Sequence, residues 1–399
     1  MTDNCAMDSI KSGRFEEKVA HVFWDCAPHL AGRMASNVCR MDANAVIYLY
    51  DVGIYKDLDN GWELSKDWVS ELPTGRYRGY LRRARWTRDK RIKGHLLAIL
   101  HNLWLPLTLK SLRMIIRGPK YWVFHGKMLP PMLTVFFRMT GKRIVVIHWG
   151  GRDAHWWGGV SKRVGPLSLR ALTHFFVLIE PEVAFFRHYL SVNKISTLPY
   201  CTCEYKDNER LCSYDNSGGI ANKCLMLGPS AWHIDAYADI LDKIPANSWD
   251  DIVCIVAYGK KDRMQDVDSF IEKYAERFGS SFHAWRDRVP YDEYKRRMRQ
   301  TPYYICPANA QAGLGAIGTG IRMGKTIFLR GDNYRWITSR QIKVFNLDDV
   351  KDFSYEGLSK YRLTDSDVQG NKKANKEFYT KTINPHKWVE TINTALGRI

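Results

Sequence analysis

The sequence lacks the marks of several common protein classes. None of its nine cysteines has the spacing of a zinc site: Cys201 and Cys203 are too close together, and Cys212 and Cys224 are too far apart. The apolar stretch 96–109 is shorter than the roughly 20 residues that cross a bilayer. Residues 1–17 contain no apolar core of a secretion signal. We therefore expect reduced thiols, no metal and no membrane-spanning helix.

Acidic residues are scarce relative to basic ones. The chain has 60 lysines and arginines against 42 aspartates and glutamates, a formal net charge of +18. Such an excess predicts an anionic partner, which is nucleic acid, an anionic membrane surface or a phosphorylated substrate. Hydrophobic residues make up 45% of the 399 residues, enough for a substantial core and for two domains of ordinary size.

Positive charge is concentrated in the segment 76–117. Half of residues 76–93 are basic, and the apolar stretch 96–109 follows them. Basic residues beside a helix rich in leucine and tryptophan are typical of a segment at a membrane interface. A buried helix beside a solvated basic surface, or a nucleic-acid site, are the alternatives. The expected membrane contacts are Arg82, Arg83, Arg85, Trp86 and Trp104.

Short apolar runs alternate with helical patterns along the chain, and the alternation occurs twice. In the first half, predicted strands include 19–24, 45–50, 121–125 and 143–147. A polar linker follows at 206–222, and the pattern then restarts with a strand at 224–227. The order predicts two α/β domains with parallel sheets. We place them at 1–205 and 223–385, with a final helix at 386–399.

The most distinctive stretch is 303–333. It predicts a buried strand at 303–306, a loop of small residues, a short helix ended by Gly324, a strand at 326–329 and a turn at 331–333. A strand that leads through a glycine-rich loop into a helix offers free backbone N–H groups to a phosphate. The alternative is a small-residue helix packed closely on a sheet. The stretch is not a Walker motif, because Lys325 follows the helix.

Six short blocks in chain order resemble glycosyltransferase family 56, the bacterial 4-acetamido-4,6-dideoxygalactose (Fuc4NAc) transferases of enterobacterial common antigen synthesis. The blocks are 123–126, 147–153, 227–230, 257–259, 309–315 and 331–336. Two loops depart from the family pattern. The family's Arg-Gln-Gln is replaced by Asn309, Ala310 and Gln311, and its G-N-S loop is reduced to Gly228, Pro229 and Ser230.

The resemblance implies a GT-B fold, an α/β architecture of two Rossmann-like open parallel-sheet domains that face a cleft. It implies an inverting, metal-independent glycosyltransferase without a cofactor. The donor would be a dTDP- or UDP-linked sugar such as Fuc4NAc, and the acceptor a polyprenyl-diphosphate-linked or other cell-surface glycan. The protein would be peripheral on the cytoplasmic face of the inner membrane. A GT-B enzyme with a soluble or lipopolysaccharide acceptor, or a basic nucleic-acid-binding protein, are the alternatives.

Inversion requires one general base for the acceptor hydroxyl and a positive environment for the departing diphosphate. The first candidate for the base is Asp153, at the end of a predicted strand, where it could instead cap the loop or pair with Arg152. Further candidates for the base are His148, His125 and Asp25, of which the histidines could be structural. Predicted donor contacts are Ser230, Gln311, Gly313, Gly315 and Thr319 to phosphate, Tyr258 and Lys261 to base or phosphate, and Asp332 and Asn333 to sugar or ribose hydroxyls.

Overall fold

The computed structural model describes residues 18–24, 28–51, 72–75, 77–82, 109–126, 131–149, 169–190, 194–199, 223–257, 264–287, 289–382 and 385–399. The chain forms two compact units. The first unit comprises 1–203 together with 382–399, and the second unit comprises 204–381. In the described part of the chain, no helix is both long and apolar enough to cross a membrane.

The first unit is built on a parallel sheet of seven strands in the order β3-β2-β1-β4-β5-β6-β7. The strands are β1 (Val19–Trp24), β2 (Ala45–Asp51), β3 (Tyr77–Arg82), β4 (Tyr121–Gly126), β5 (Arg143–His148), β6 (His174–Val177) and β7 (Ile195–Thr197). Its helices include α1 (Pro28–Met41), α2 (Leu109–Arg117), α3 (Pro131–Met139) and α4 (Glu180–Leu190). Every residue of β4 is buried, as expected for a central parallel strand covered on both faces.

The second unit has a parallel sheet of six strands in the order β10-β9-β8-β11-β12-β13. The strands are β8 (Cys224–Leu227), β9 (Asp251–Ile255), β10 (Phe282–Trp285), β11 (Tyr303–Cys306), β12 (Thr326–Leu329) and β13 (Phe345–Asn346). The helices are α5 (Ile234–Leu241), α6 (Met264–Phe278), α7 (Tyr291–Gln300), α8 (Leu314–Arg322), α9 (Gly331–Thr338), α10 (Tyr355–Ser359) and α11 (Asp365–Thr382). The strand order reverses between β8 and β11, which is where open α/β sheets bind ligands.

The last helix, α12 (Pro385–Leu396), belongs to the first unit although the second unit precedes it in the chain. Trp388 is buried, and its indole N–H donates a hydrogen bond to the Pro199 carbonyl at 3.2 Å. At the other end of the helix, a Cβ added to Gly397 would lie 2.6 Å from the Arg143 guanidinium. The helix is therefore held to the first sheet at both of its ends.

Most predicted strands are confirmed, and the errors are local. The predicted turn at 331–333 is wrong, because these residues form the first turn of α9. Strand β3 lies within the segment 76–117, for which no strand was predicted. The predicted linker 206–222 lies outside the described residues.

Candidate functional site

Three loops meet at the carboxyl edge of the second sheet, where its parallel strands end. They follow β8, β11 and β12, which are neighbours in the sheet. The loop after β8 contains Gly228, Pro229 and Ser230, with a cis peptide bond before the proline. The loop after β11 runs into α8, and the loop after β12 runs into α9. Because the strands are adjacent and parallel, side chains distant in sequence are brought together here.

Gly313 is the residue at which the β11 loop turns into α8. Its φ of 63° lies in the left-handed region, which favours glycine. A Cβ at this position would lie 3.0 Å from both Cβ and Cγ of Pro229, so the β11 and β8 loops are in contact. Gly315, in the first turn of α8, has open space where a Cβ would be. The start of α8 therefore presents backbone N–H groups with little side-chain cover, which suits an anion.

The β12 loop holds the β11 loop in place through Gly331 and Asp332. Gly331 has a φ of 58°, and a Cβ there would lie 2.0 Å from the Asn309 carbonyl oxygen. The backbone N–H of Asp332 donates a hydrogen bond to that same oxygen at 2.9 Å. The Asp332 carboxylate is buried and pairs with Arg335 one turn later. Sequence reasoning missed the role of Gly331, although a glycine directly between a strand and a helix is a usable signal.

Asn333 makes the second connection between these two loops. It is fully buried, and its side-chain N–H donates a hydrogen bond to the Ala312 carbonyl at 2.9 Å. Its Oδ1 accepts a longer hydrogen bond, 3.4 Å, from the Ala312 N–H. Asp332 and Asn333 were predicted to face the sugar or ribose, and the structure places them beneath the β11 loop instead of at its surface. Their assignment to sugar or ribose hydroxyls stays a prediction.

The remaining predicted donor residues differ in how their side chains are engaged. Gln311 is 7% exposed, and its Oε1 has no hydrogen-bond partner among the described residues. Ser230 is buried, and its backbone N–H donates to the Tyr237 hydroxyl at 3.0 Å. The Thr319 hydroxyl donates to the Gly315 carbonyl and accepts from Arg322. Gln311 therefore has hydrogen-bonding capacity left for a ligand, whereas the Thr319 hydroxyl has two partners within α8.

Burial also controls the ionisation of groups beneath the site. Burial raises the pKa of the Cys306 thiol to about 12, which keeps it neutral at the end of β11. Burial likewise raises the pKa of the Tyr237 hydroxyl well above its usual value. The Arg330 guanidinium, beside the β12 loop, donates to the Asp348 carboxylate at 2.6 Å. The described part of this edge thus offers backbone N–H groups to an anion. Tyr258 and Lys261 lie outside the described residues.

His125 is the next-to-last residue of β4 and His148 is the last residue of β5, two neighbouring strands of the first sheet. His125 is fully buried and shares a hydrogen bond of 3.0 Å with His21, between His125 Nε2 and His21 Nδ1. Its ring stacks on Phe23, with ring centroids 4.4 Å apart. Burial, and then the neighbouring His21, hold the pKa of His125 well below its usual value. His125 therefore lies in the core as a neutral ring.

His148 is buried against Phe175 and Phe186, with ring centroids 5.8 and 5.4 Å away. Asp153 and Asp25, the carboxylate candidates for a general base, lie outside the described residues. So do Arg83, Arg85, Trp86 and Trp104, while Arg82 ends β3. Within the described ranges, no group of three or more histidine, cysteine, aspartate or glutamate side chains is placed to hold a metal ion. The catalytic assignments stay predictions.

Comparison with known proteins identifies the fold. No family model and no curated protein sequence matches the chain. It is similar to the N-terminal domain of trehalose-6-phosphate phosphatase from Candida albicans, with 10% identity, 98% of each chain covered and a TM-score of 0.67. It is similar to α,α-trehalose-phosphate synthase (UDP-forming) from Burkholderia vietnamiensis, with 13% identity, 96% of this chain and 100% of that chain covered, and a TM-score of 0.60.

A third similar structure is Anabaena HepE in complex with UDP, with 11% identity, 96% of this chain and 100% of that chain covered, and a TM-score of 0.60. These likenesses extend over both units and not over one sheet alone. Together with the two parallel sheets, they confirm the predicted architecture: the chain has the GT-B fold, with two Rossmann-like domains.

Proposed function

We propose that this protein is a glycosyltransferase that takes a sugar from a nucleotide-diphosphate donor held at the carboxyl edge of the second sheet. One observation carries the proposal. Three loops on adjacent strands meet where α8 begins, and the open space at Gly315 leaves the backbone N–H groups of the first turn of α8 with little side-chain cover. A diphosphate is the leaving group that such a site stabilises, because N–H dipoles are directed at the charge that develops on its oxygens.

Two further observations support a nucleotide-sugar donor. The Oε1 of Gln311 is buried without a partner among the described residues, so a ligand hydroxyl or N–H would satisfy it. Anabaena HepE, similar over both units, has been solved in complex with UDP and in complex with UDP-glucose. We therefore propose a UDP- or dTDP-linked donor that needs no other cofactor. The amino-deoxy sugar Fuc4NAc is the donor sugar that the resemblance to family 56 suggests.

For the chemistry we propose inversion without a metal, with Asp153 as the base that deprotonates the acceptor hydroxyl. The burial and neutral state of His125 favour the carboxylate over this histidine. We propose a polyprenyl-diphosphate-linked saccharide as the acceptor, and a peripheral position on the cytoplasmic face of the inner membrane. Segment 76–117, with its basic and apolar residues, would contribute to that attachment.

Donor binding is tested by a thermal-shift panel with UDP, dTDP and GDP, and with CMP as a monophosphate control. A ligand that binds only the folded chain raises its unfolding temperature by mass action. We expect a shift with UDP or dTDP that the variant Gly313→Val loses, since its side chain would contact Pro229 and crowd the start of α8. Gly370→Ala, at an open position in α11, is the control. No shift with any diphosphate would overturn the proposal.

The reaction is tested with the variant Asp153→Asn and by the anomer of the product. We expect the variant to bind donor and to turn over at least about a hundredfold more slowly, the contribution of a general base. Full activity would remove Asp153 from the mechanism. Trehalose-6-phosphate synthase, a protein of similar fold, transfers its sugar with retention. NMR assignment of the product anomer therefore decides between inversion, which we propose, and retention. Transfer into a butanol-soluble lipid separates the lipid-linked acceptor from a soluble or lipopolysaccharide acceptor.

A further inference from the structure

Three large hydrophobic side chains are exposed at one edge of the first unit. They are Ile116 at 54%, Met139 at 80% and Ile399 at 51% of their accessible surface. Among the described residues only one other large hydrophobic side chain, Trp232 in the second unit, is comparably exposed. Exposed apolar side chains that occur together mark an interaction surface more often than single ones do.

Contacts within the first unit bring these three residues to the amino edge of its sheet, where the strands begin. Helices α2 and α3 pack on one cluster through Ile115 and Phe137, so both end beside the start of β4 and β5. The Lys142 ammonium donates to the Gly118 carbonyl at 2.7 Å, which joins the turns that follow Ile116 and Met139. At the end of the chain, the Arg398 guanidinium lies 5.1 Å from the ring centroid of Tyr121, the first residue of β4.

The same edge carries positive charge in a regular arrangement. Lys18, Lys120 and Lys142 directly precede β1, β4 and β5, and the register places the three on one rung of the sheet. Adjacent strands lie about 4.8 Å apart, so the three lysine backbones are close neighbours. Arg117 and Arg138 are exposed beside them. We call this surface the basic edge; it comprises Lys18, Ile116, Arg117, Lys120, Arg138, Met139, Lys142 and Ile399.

Negative charge is scarce around the basic edge: Asp42, before β2, is buried and accepts a hydrogen bond from the Asn44 N–H. The sequence contains no aspartate or glutamate between Lys90 and Arg152. In the described part of the first unit, no ion pair joins two residues, whereas the second unit has many, such as that of Lys273 with Asp242. Like charges held a few ångströms apart repel one another, and an anionic partner removes that repulsion. The edge therefore combines unneutralised positive charge with exposed aliphatic side chains.

We propose that the basic edge docks on the surface of an anionic lipid bilayer. Lysines and arginines would contact lipid phosphates, and Ile116, Met139 and Ile399 would enter the boundary between headgroups and acyl chains. The exposed apolar residues are aliphatic, whereas sites for single-stranded nucleic acid stack bases on aromatic rings. The edge extends beyond the segment 76–117, since Lys120, Arg138 and Met139 follow that segment in sequence. The inference stands independently of the proposed transferase activity.

The test is co-sedimentation of the full chain with vesicles of phosphatidylcholine, with and without phosphatidylglycerol. We expect the chain to bind only the anionic vesicles. The triple variant Arg117→Glu, Lys120→Glu and Arg138→Glu should bind them at least about a hundredfold more weakly. The matched control reverses three exposed lysines of the second unit, Lys351, Lys360 and Lys373, and should bind like the unaltered chain.

A second variant separates the apolar contribution from the charge. Ile116→Ser with Met139→Ser keeps every charge and, because both side chains are exposed, should keep the fold. We expect vesicle binding about tenfold weaker, from the loss of apolar area removed from water. Added salt should weaken binding of the unaltered chain by screening, while the ratio between it and this variant stays nearly constant.

Unchanged vesicle binding by the triple variant would overturn the proposal and assign attachment to another segment. Binding of an oligonucleotide, abolished by the triple variant, with no binding of vesicles would overturn it in favour of nucleic acid. The thermal shift with UDP or dTDP is measured on the same variants, and we expect it to be retained. Absence of that thermal shift in the unaltered chain would contradict the proposed transferase function but not the proposed docking on lipid, because vesicle binding is measured separately.

Discussion

The two units build the same kind of parallel sheet and stabilise its surface differently. In the second unit, basic side chains are paired: Lys273 and Arg277 with Asp242, and Lys343 with Asp367. In the described part of the first unit no such pair joins two residues, and the buried histidines His21 and His125 share a hydrogen bond with each other. Exposed ion pairs contribute little stability individually. The difference therefore concerns the electrostatic potential around each unit. Positive and negative charges nearly balance in the second unit, whereas positive charge dominates in the first.

The units also differ in how their carboxyl edges are made. The second unit forms its edge from backbone, with glycines in left-handed conformation and an asparagine that binds a carbonyl and an N–H. The first unit carries a buried histidine near the end of β4 and another at the end of β5, each packed against aromatic rings. We infer that the stability of the second unit is most sensitive to changes in backbone geometry, whereas the stability of the first unit is most sensitive to the protonation of buried histidines. The following predictions test that contrast, beginning with the largest expected effect.

Gly331→Ala should damage the second unit most. The left-handed φ opposes any side chain, and a Cβ would collide with the Asn309 carbonyl at 2.0 Å. We expect the free energy of unfolding to fall by at least about 3 kcal/mol, with loss of nucleotide binding. Urea unfolding combined with hydrogen exchange of peptides from each unit is the measurement. The control Gly370→Ala should gain about 0.5–1 kcal/mol, because that helix position is open.

Asn333→Leu should be the next largest effect. Leucine has a similar size and removes both hydrogen bonds to Ala312, which leaves a buried carbonyl and N–H unpaired. We expect a loss of about 2–3 kcal/mol in the second unit and weaker binding of UDP or dTDP. Calorimetric titration and thermal unfolding measure the two effects. Normal nucleotide affinity with lowered stability would show that the hydrogen bonds of Asn333 to Ala312 support the fold and not nucleotide binding.

Acid should destabilise the first unit selectively. Burial, and then Arg398, lower the pKa of His21 to about 3, from an unfolded value of about 6.5. A depressed pKa means that the folded state binds fewer protons, so this stability is complete above about pH 6.5 and declines as the pH falls toward 3. We expect a loss of about 2 kcal/mol between about pH 7.5 and pH 5.

Hydrogen exchange at the two pH values measures this loss of stability in peptides of β1 and β4. Peptides of the second unit serve as the internal reference. The combined variant His21→Leu with His125→Phe should reduce the pH dependence, because neither replacement titrates. The remainder comes from His174 in β6, whose pKa burial lowers to about 4. The exposed His283 of the second unit, changed to phenylalanine, should leave that dependence intact. Equal loss of stability in both units at low pH would contradict the inferred difference between them.

Gln341→Gly should produce the smallest effect, and a favourable one. Gln341 has a φ of 58° after α9, where glycine is the preferred residue. We expect the free energy of unfolding of the second unit to rise by up to about 1 kcal/mol, because glycine has no Cβ to oppose the left-handed conformation. A shift of the urea midpoint without a change in slope would measure it. A loss of stability would mean that the glutamine side chain contributes contacts that outweigh its conformational cost.

Periodicity and apolar runs predicted the strands that lie in the middle of each sheet. The predictions for 303–306 and 326–329 coincide with β11 and β12, since fully buried parallel strands give uninterrupted apolar runs. Strand β3 was missed because it is an edge strand that contains Arg78, and edge strands tolerate charge. The pattern Gly331, Asp332, Asn333 suggested a turn, since the same residues favour turns and helix starts.

The sequence located the candidate site but did not predict which residues support it. A strand followed by small residues and a helix was sufficient to predict the open start of α8. The contacts of Gly331 with Asn309, and of Asn333 with Ala312, join positions about twenty residues apart on adjacent strands. Such pairs depend on the order of strands in the sheet, and one sequence contains no local signal for that order.

The return of α12 to the first unit has a consequence for synthesis on the ribosome. The second unit is continuous in sequence, so it can fold as soon as it has emerged. The first unit emerges earlier but lacks Trp388, which stacks near His125 and binds the Pro199 carbonyl. Its helix α12 is translated only after the whole second unit. The first unit is thus completed after the second, and a nascent chain stalled before α12 would expose the apolar face that this helix covers.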